Sequence, residues 1–301
     1  MGENSKISWT NHTFNPWWGC VKVSPGCANC YAETFSHRFG TLWGPQSQRR
    51  FFGNKHWGEP LKWDCKAAKE GKRAKVFCGS MCDIFENRPD LVEPRKRLCD
   101  LILATPNLTW LLLTKRPENI LYLLQETESI LGVSLPENVW LGTTGEDQER
   151  FEQRWAHLEY AGMALNPSVL FLSAEPLLSS LDISAWISEY REEDEDGSVL
   201  SRGIDWVICG GESGDRARPM HPNWARSLRD QCQAAGVPFF FKQWGELVPE
   251  DHIERGNRVY EPGMSFRIQD TMTFHKVGKT AAGDLLDGQE WKQFPKEPRN
   301  G

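Results

Sequence analysis

Three cysteines, Cys20, Cys27 and Cys30, sit in one short stretch, WWGCVKVSPGCANCYAE (17–33), with six residues and then two between them. Pro25 and Gly26 inside it favour a tight, irregular loop over a helix or strand. Such a loop can turn three thiolates inward and leave one coordination position open. An open position goes with chemistry more often than with architecture, because structural zinc closes its shell with four protein ligands. Thiolates suit both iron and zinc, so ligand type alone does not separate them. A zinc site needs a fourth ligand, for which His12 and His37 are the candidates. A 4Fe-4S cluster can be held by three cysteines, its fourth iron left for substrate or cofactor. The spacing and the closing Cys-x-x-Cys-Tyr favour the cluster; cysteines that bind no metal are the third reading.

A second set of reactive residues follows apolar runs. Ser80 and Asp83 come after KVFCGSM, Thr114, Lys115 and Arg116 end LTWLLLTKR, and Thr143 and Thr144 end NVWLGTT. Ser173 and Glu175 end VLFLSAEP, Glu212 and Ser213 end IDWVICGGES, and Lys242 and Gln243 end VPFFFKQW. Each has an ordinary reading, since a strand must end in something polar. Asp83 could cap the next helix, and Lys115 or Arg116 could form a solvent-facing ion pair. CGGESG lets the backbone approach a ligand but lacks the Lys-Ser/Thr ending of a phosphate loop. Arg216, Arg218 and His221 behind it could face a substrate or cap a helix. The chain shows no His-Glu-x-x-His, no Ser/His/Asp order and no carboxylate pair of glycosidase spacing. Cys65, Cys78, Cys82, Cys99, Cys209 and Cys232 are expected to pack as small hydrophobes.

The elements that must position these residues are six apolar runs of strand length, as for strands buried on both faces of a parallel sheet. Helical segments alternate with them: Pro89 to about Ala104, one opened by Pro117, Glu146 to Met163, and Pro222 to Ala235 closed by Gly236. That alternation predicts an α/β fold, a complete or partial β/α barrel, with a doubly wound open sheet as the competitor. Polar residues after six successive strands favour the barrel, whose strand ends collect at one face. A short strand could precede the cysteine loop, and residues 41–74 read as a long connection with one short helix. REEDEDGS (191–198) reads as a solvated insertion. The expected division is a barrel over 1–244 and a small, β-rich C-terminal element over 245–301, with Leu285, Leu286 and Trp291 packed on the barrel.

Composition sets outer limits. Hydrophobic residues at 39% and charged residues at 25% suit a globular chain with a substantial core. With no long apolar run and no secretory segment, the expectation is a cytoplasmic protein without a membrane partner. Nine cysteines, an odd number, argue for free thiols over a disulfide framework. A net charge of −6 weakens any reading as a coat on nucleic acid. The basic runs Lys66, Lys69, Lys72, Arg73, Lys75 and Arg95, Lys96, Arg97 read as solvated helix faces.

The cysteine loop is similar to the cluster-binding loop of radical S-adenosylmethionine enzymes, whose usual spacing is three and then two residues; six here is a departure. FNPWWGCVKVSPGCANCYAE, VFCGSMCDIF, IDWVICGGESGDRARPMHP, AGVPFFFKQWGE and GKTAAGDLLDGQEWKQFP together resemble the phage gp-thirty-seven/gp-sixty-eight family of radical-SAM-like, three-cysteine proteins, over nearly the whole chain. The resemblance implies that Cys20, Cys27 and Cys30 hold a 4Fe-4S cluster that cleaves S-adenosylmethionine reductively. It assigns Ser80 and Asp83 to the methionine moiety. Their places at strand ends make Thr114, Lys115, Ser173, Glu175 and Glu212 further cofactor-pocket candidates. The GGE string carries no role over to Glu212, because it follows the sixth run instead of the second strand. The implied partners are a small-molecule or nucleic-acid substrate, an electron donor such as a flavodoxin or ferredoxin, and a neighbour-encoded protein. Nucleobase or nucleic-acid modification or repair is the implied reaction class. Two other readings stand beside it: a zinc-stabilised, non-catalytic barrel that binds nucleic acid or a protein, and a metal-independent enzyme using Glu175, Glu212 and Lys242.

Overall fold

The computed structural model describes residues 2–40, 43–187, 201–252, 265–268 and 272–296. Seven strands form its main sheet: β1 (His12–Phe14), β2 (Ala74–Cys78), β3 (Leu108–Thr114), β4 (Val139–Thr144), β5 (Val169–Ala174), β6 (Trp206–Gly210) and β7 (Phe239–Gln243). They lie in sequence order, every neighbouring pair is parallel, and β1 and β7 do not pair with each other. This is a partial β/α barrel, open between its first and last strands. Six of the strands are the six apolar runs, and the seventh is the short one ahead of the cysteines.

Alternation along each strand makes two cores. Trp110, Leu112, Leu141, Leu170, Leu172, Val207 and Phe241 face the helices. Phe77, Leu111, Trp140, Phe171, Trp206, Ile208 and Phe240 line the concave face with Trp9. Trp206 is the hub of that inner core. Its ring lies 5.8 Å from Trp140 and Phe171, 6.1 Å from Phe240 and 6.3 Å from Trp9. The barrel interior is thereby packed shut below the strand tips, leaving a hollow at the C-terminal end of the sheet.

The helices are α1 (Tyr31–His37), α2 (Glu59–Glu70), α3 (Val92–Leu103), α4 (Ile120–Gln125), α5 (Gln148–Leu165) and α6 (Pro222–Ala234), with a single turn at Asn54–Trp57. The twelve-residue α2 corrects the expectation of one short helix in 41–74. Its apolar stripe is only Pro60, Trp63 and Ala67, too thin to stand out among its charges, yet Trp63 stacks on His12 at 4.5 Å. Cys65 on α2 is a second correction: it is exposed, because it points away from that stripe. Cys78, Cys82, Cys99, Cys209 and Cys232 are buried as expected.

Beyond β7, Leu247–Pro249, Met272–Lys276 and Ser265–Ile268 form an antiparallel three-stranded sheet, with 272–276 in the middle. The chain then returns to the open edge of β7. Phe241 N donates to Trp291 O at 2.7 Å and Gln293 N to Phe239 O at 3.2 Å. Leu286 is fully buried and Trp291 packs on the helix-side core, as expected. The acidic stretch 191–198 lies outside the described residues. Among the described residues, no helix is long and apolar enough to cross a membrane.

Candidate functional site

A cavity of about 470 Å³ opens at the C-terminal ends of the strands. Cys20, Cys27 and Cys30 line it, and so do Ser80, Asp83, Thr114, Lys115, Ser173, Glu175 and Glu212. All ten residues named as cluster or cofactor-pocket candidates therefore line one space. A second hollow of about 530 Å³, walled by Phe14, Trp18, Phe52, His56 and Trp63, contains no cysteine and none of the strand-end residues.

The cysteine loop is pinned to the barrel by three carboxylate–arginine pairs. Asp83, which follows β2, accepts from Thr114 Oγ1 at 2.7 Å, Arg116 Nη1 at 2.8 Å, and the backbone N–H groups of Phe85 and Lys115 at 3.1 Å each. Arg116 continues into the loop, donating to Val21 O at 2.7 Å and lying 3.6 Å from Cys20 Sγ. Glu146, which follows β4, takes Arg154 Nη1 at 2.6 Å and the Gly26 backbone N–H at 3.1 Å. Glu212, which follows β6, is gripped by Arg218 Nη2 at 2.6 Å and accepts from Asn29 Nδ2 at 3.1 Å. The same Arg218 Nη2 reaches Pro25 O at 2.9 Å. Val21, Pro25, Gly26 and Asn29 are thus each held from the barrel side. Tyr31, half exposed over the cavity, adds a bond from its hydroxyl to Ser80 O at 2.8 Å.

These pairs have electrostatic consequences. Burial alone would raise the Glu146 carboxyl, but Lys115 and Arg154 outweigh it and hold it at about 2. Glu212 also sits below the usual carboxylate range, burial being overcome by the hydrogen bonds from Arg218 and Asn29. Arg116 is driven upward: burial opposes its charge, and Asp83 and Cys20 more than offset it. Burial, with Asp83 adding to it, pushes the Cys20 thiol up to about 12, against the pull of Arg116. Burial raises Cys30 as well. A coordinating metal would ionise such thiols, since it deprotonates its thiol ligands outright.

The opposite wall is formed by β5, β6 and β7. Lys242 Nζ pairs with Glu175 Oε1 at 2.9 Å, Ser173 Oγ lies 3.4 Å from Glu175 Oε2, and Gln243 Nε2 donates to Ser213 Oγ at 3.0 Å. Lys115 reaches across from β3 to Thr144 Oγ1 at 2.9 Å. Thr114 spends its hydroxyl on Asp83, and Ser80 Oγ accepts from Asn15 Nδ2 at 2.9 Å.

Tertiary structure redistributes the roles expected of these residues. Asp83 and Glu212 are structural clamps whose oxygens are already engaged, so neither offers a free carboxylate to an ammonium group or to catalysis. Gly211 of CGGESG serves chain crossing, since a side chain there would run into the Trp244 carbonyl, whereas one on Gly210 would meet the Glu175 side chain. His221 caps α6, its Nδ1 accepting from Asn223 N at 3.1 Å. Glu146 and Arg154 are site residues that pattern reading missed, because in sequence they belong to an unremarkable helix start. The signal was the position of Glu146, two residues past the end of β4.

The donor set fits a thiolate-held centre: three cysteines of one clamped loop, all on one cavity wall. Among the described residues, no three His, Cys, Asp or Glu side chains converge tightly enough to enclose a single ion. The proposed fourth zinc ligands are elsewhere: His12 packs on Trp63, and His37 is an exposed partner of Glu33 at 4.0 Å.

Among solved structures, a cysteine-to-serine mutant of spore photoproduct lyase is similar over 93% of this chain and 71% of its own, at 13% identity and a TM-score of 0.45. No curated protein sequence matches. A family profile described as protein of unknown function, DUF5131, matches residues 4–295, nearly the whole chain, and the chain belongs to that family.

Proposed function

We propose that this protein is a radical S-adenosylmethionine enzyme in which Cys20, Cys27 and Cys30 hold a 4Fe-4S cluster. One observation carries the reading: three cysteines of a single loop, clamped over the strand tips of a partial β/α barrel, line the same cavity as the strand-end polar residues. When bound, such a cluster supplies the electron for reductive cleavage of the cofactor's sulfonium. The protein's own residues do the rest. Arg116, held by Asp83, places a cation beside Cys20 and favours its thiolate form. Glu146 and Glu212, with their arginines, fix the loop so that one side of the centre faces the cavity. Lys115, Ser173 and Glu175 remain to orient a cofactor or substrate, and the packed aromatic floor keeps water from entering below. The resemblance to the phage gp-thirty-seven/gp-sixty-eight family supports the same reading, with a flavodoxin or ferredoxin as reductant and a nucleotide or nucleic acid as substrate class.

Anaerobic reconstitution is the test. The expected result is brown protein with about four irons and four sulfides per chain, releasing 5′-deoxyadenosine with dithionite and S-adenosylmethionine. Colourless protein that takes up one zinc and releases no 5′-deoxyadenosine would overturn the proposal in favour of a zinc-stabilised barrel.

A further inference from the structure

The C-terminal element brings a lysine to the cavity. Gly278, at φ 82°, turns the chain into the short helix Lys279–Ala282. The turn is anchored because Val277 N and Gly278 N both donate to Glu246 O at 3.2 Å, while Glu246 N donates to Glu212 O at 2.9 Å. Lys279 thereby joins Lys242, Glu175, Ser213 and Gln243 along the wall of the cavity. Among the described residues Lys279 has no ion-pair partner. Glu175, the carboxylate whose charge acts on Lys279, is already paired with Lys242 at 2.9 Å. Two ammonium groups therefore share one carboxylate, and the wall keeps an uncompensated positive charge. Partial burial, followed by the charge of Lys242, lowers the pKa of Lys279, with Glu175 opposing. An anion placed between the two lysines would relieve that repulsion. A neutral donor lines the same wall: the Ser213 hydroxyl, which accepts from Gln243 and keeps its own hydrogen for a ligand. Tyr31 and Trp43 are aromatic residues of the same lining.

We propose that Lys279 and Lys242 form a phosphate-binding subsite of the substrate pocket, so that the substrate carries a phosphate ester attached to a flat ring, as a nucleotide does. This rests on the reading of the cavity as the active site. Several donors around surplus positive charge suit the oxygens of a phosphoryl group, for which lysine acts as a point charge. A free nucleotide and a nucleic-acid backbone present the same group.

The test is a binding measurement on the full chain, both as isolated and after anaerobic iron–sulfur reconstitution. Calorimetry compares the four 2′-deoxynucleoside 5′-monophosphates, the corresponding nucleosides, inorganic phosphate and a single-stranded octadeoxynucleotide. At least one monophosphate is expected to bind tenfold or more tightly than its nucleoside. Lys279→Gln and Lys242→Gln are each expected to remove about that factor, whereas Lys62→Gln, on the outer surface of α2, leaves it intact. Octanucleotide binding tighter than any monophosphate assigns the site to a nucleic-acid backbone, and the reverse order assigns it to a free nucleotide. Equal binding of nucleotide and nucleoside, no binding of any phosphate probe, or full affinity in Lys279→Gln would overturn the proposal. Because no turnover is read, a chain that binds phosphate but assembles no cluster sinks only the radical reading; the opposite outcome sinks only this one.

Discussion

Each cysteine of the loop reaches the cavity with a different neighbour: Cys20 beside Arg116, Cys27 3.8 Å from the Ser24 hydroxyl, and Cys30 at the start of α1. Replacing any one with alanine is expected to cut reconstituted iron to less than half and abolish 5′-deoxyadenosine release, while Cys65→Ala, exposed on α2, changes neither; iron assay and chromatography check this. At Gly26 the clamp leaves no room for a side chain. A Cβ there would lie 2.9 Å from Glu146 Cδ, with the buried pair to Arg154 leaving the carboxylate little room to retreat. Gly26→Ala should therefore displace the loop and lower cluster occupancy several-fold while the thermal midpoint moves little. Glu146 also predicts an acid response. Its carboxyl is held at about 2 in the folded chain against 4.5 when free, so its stabilisation is whole above pH 4.5 and is lost as pH falls toward 2. Glu146→Gln should cost about 3 kcal/mol near neutral pH, because Arg154 stays buried without its counter-charge. The variant should then lose less than the wild type between pH 5 and pH 3, as read from urea midpoints at the two values.

Strands and their faces are the next scale. The helix-facing residues of the sheet are aliphatic and aromatic side chains packed as in any β/α unit, whereas the inward residues change along the strand from aromatic to polar. Trp206 near the start of β6 is fully buried among aromatic rings, and Gly210 at its end faces Glu175. Trp206→Ala should cost about 3–5 kcal/mol in urea unfolding, since those rings cannot collapse into the space. The C-terminal segment has a comparable duty at β7. Its backbone bonds at Phe239 and Phe241, and Phe294 lying 5.3 Å from Trp206, cover an edge and a floor that would otherwise be exposed. A chain ending at Trp244 is expected to aggregate, as an uncovered edge strand invites pairing with another copy; light scattering of the truncated protein is the check.

At the scale of the molecule, the architecture was legible because burial on both faces writes a continuous apolar run for every strand, and all six runs became strands of the parallel sheet. Seven of the ten site residues, all but the cysteines, could be named for a related reason: polar residues directly after such runs must gather at one end of a barrel. What each of them does there was not legible. Asp83 and Glu212 read as ligand-binding carboxylates until their arginines, 33 and six positions away in the chain, were seen to occupy them. Helix α2 escaped notice because three buried residues among charges leave almost no periodic trace. Lys279 escaped because nothing in GKTAAGDLLDG says which surface the turn will meet.

By itself, then, the order of residues determined which segments are strands, at which end of them the polar groups lie, and which three sulfurs share a loop. All of these follow from local pattern and from the geometry of a pleated chain. Tertiary structure alone decided which carboxylates are consumed in holding that loop, which lysine faces the cavity without a counter-charge, and that the barrel stays open at one seam. Those outcomes depend on contacts between residues far apart in sequence, whose energies exist only once the chain has closed on itself.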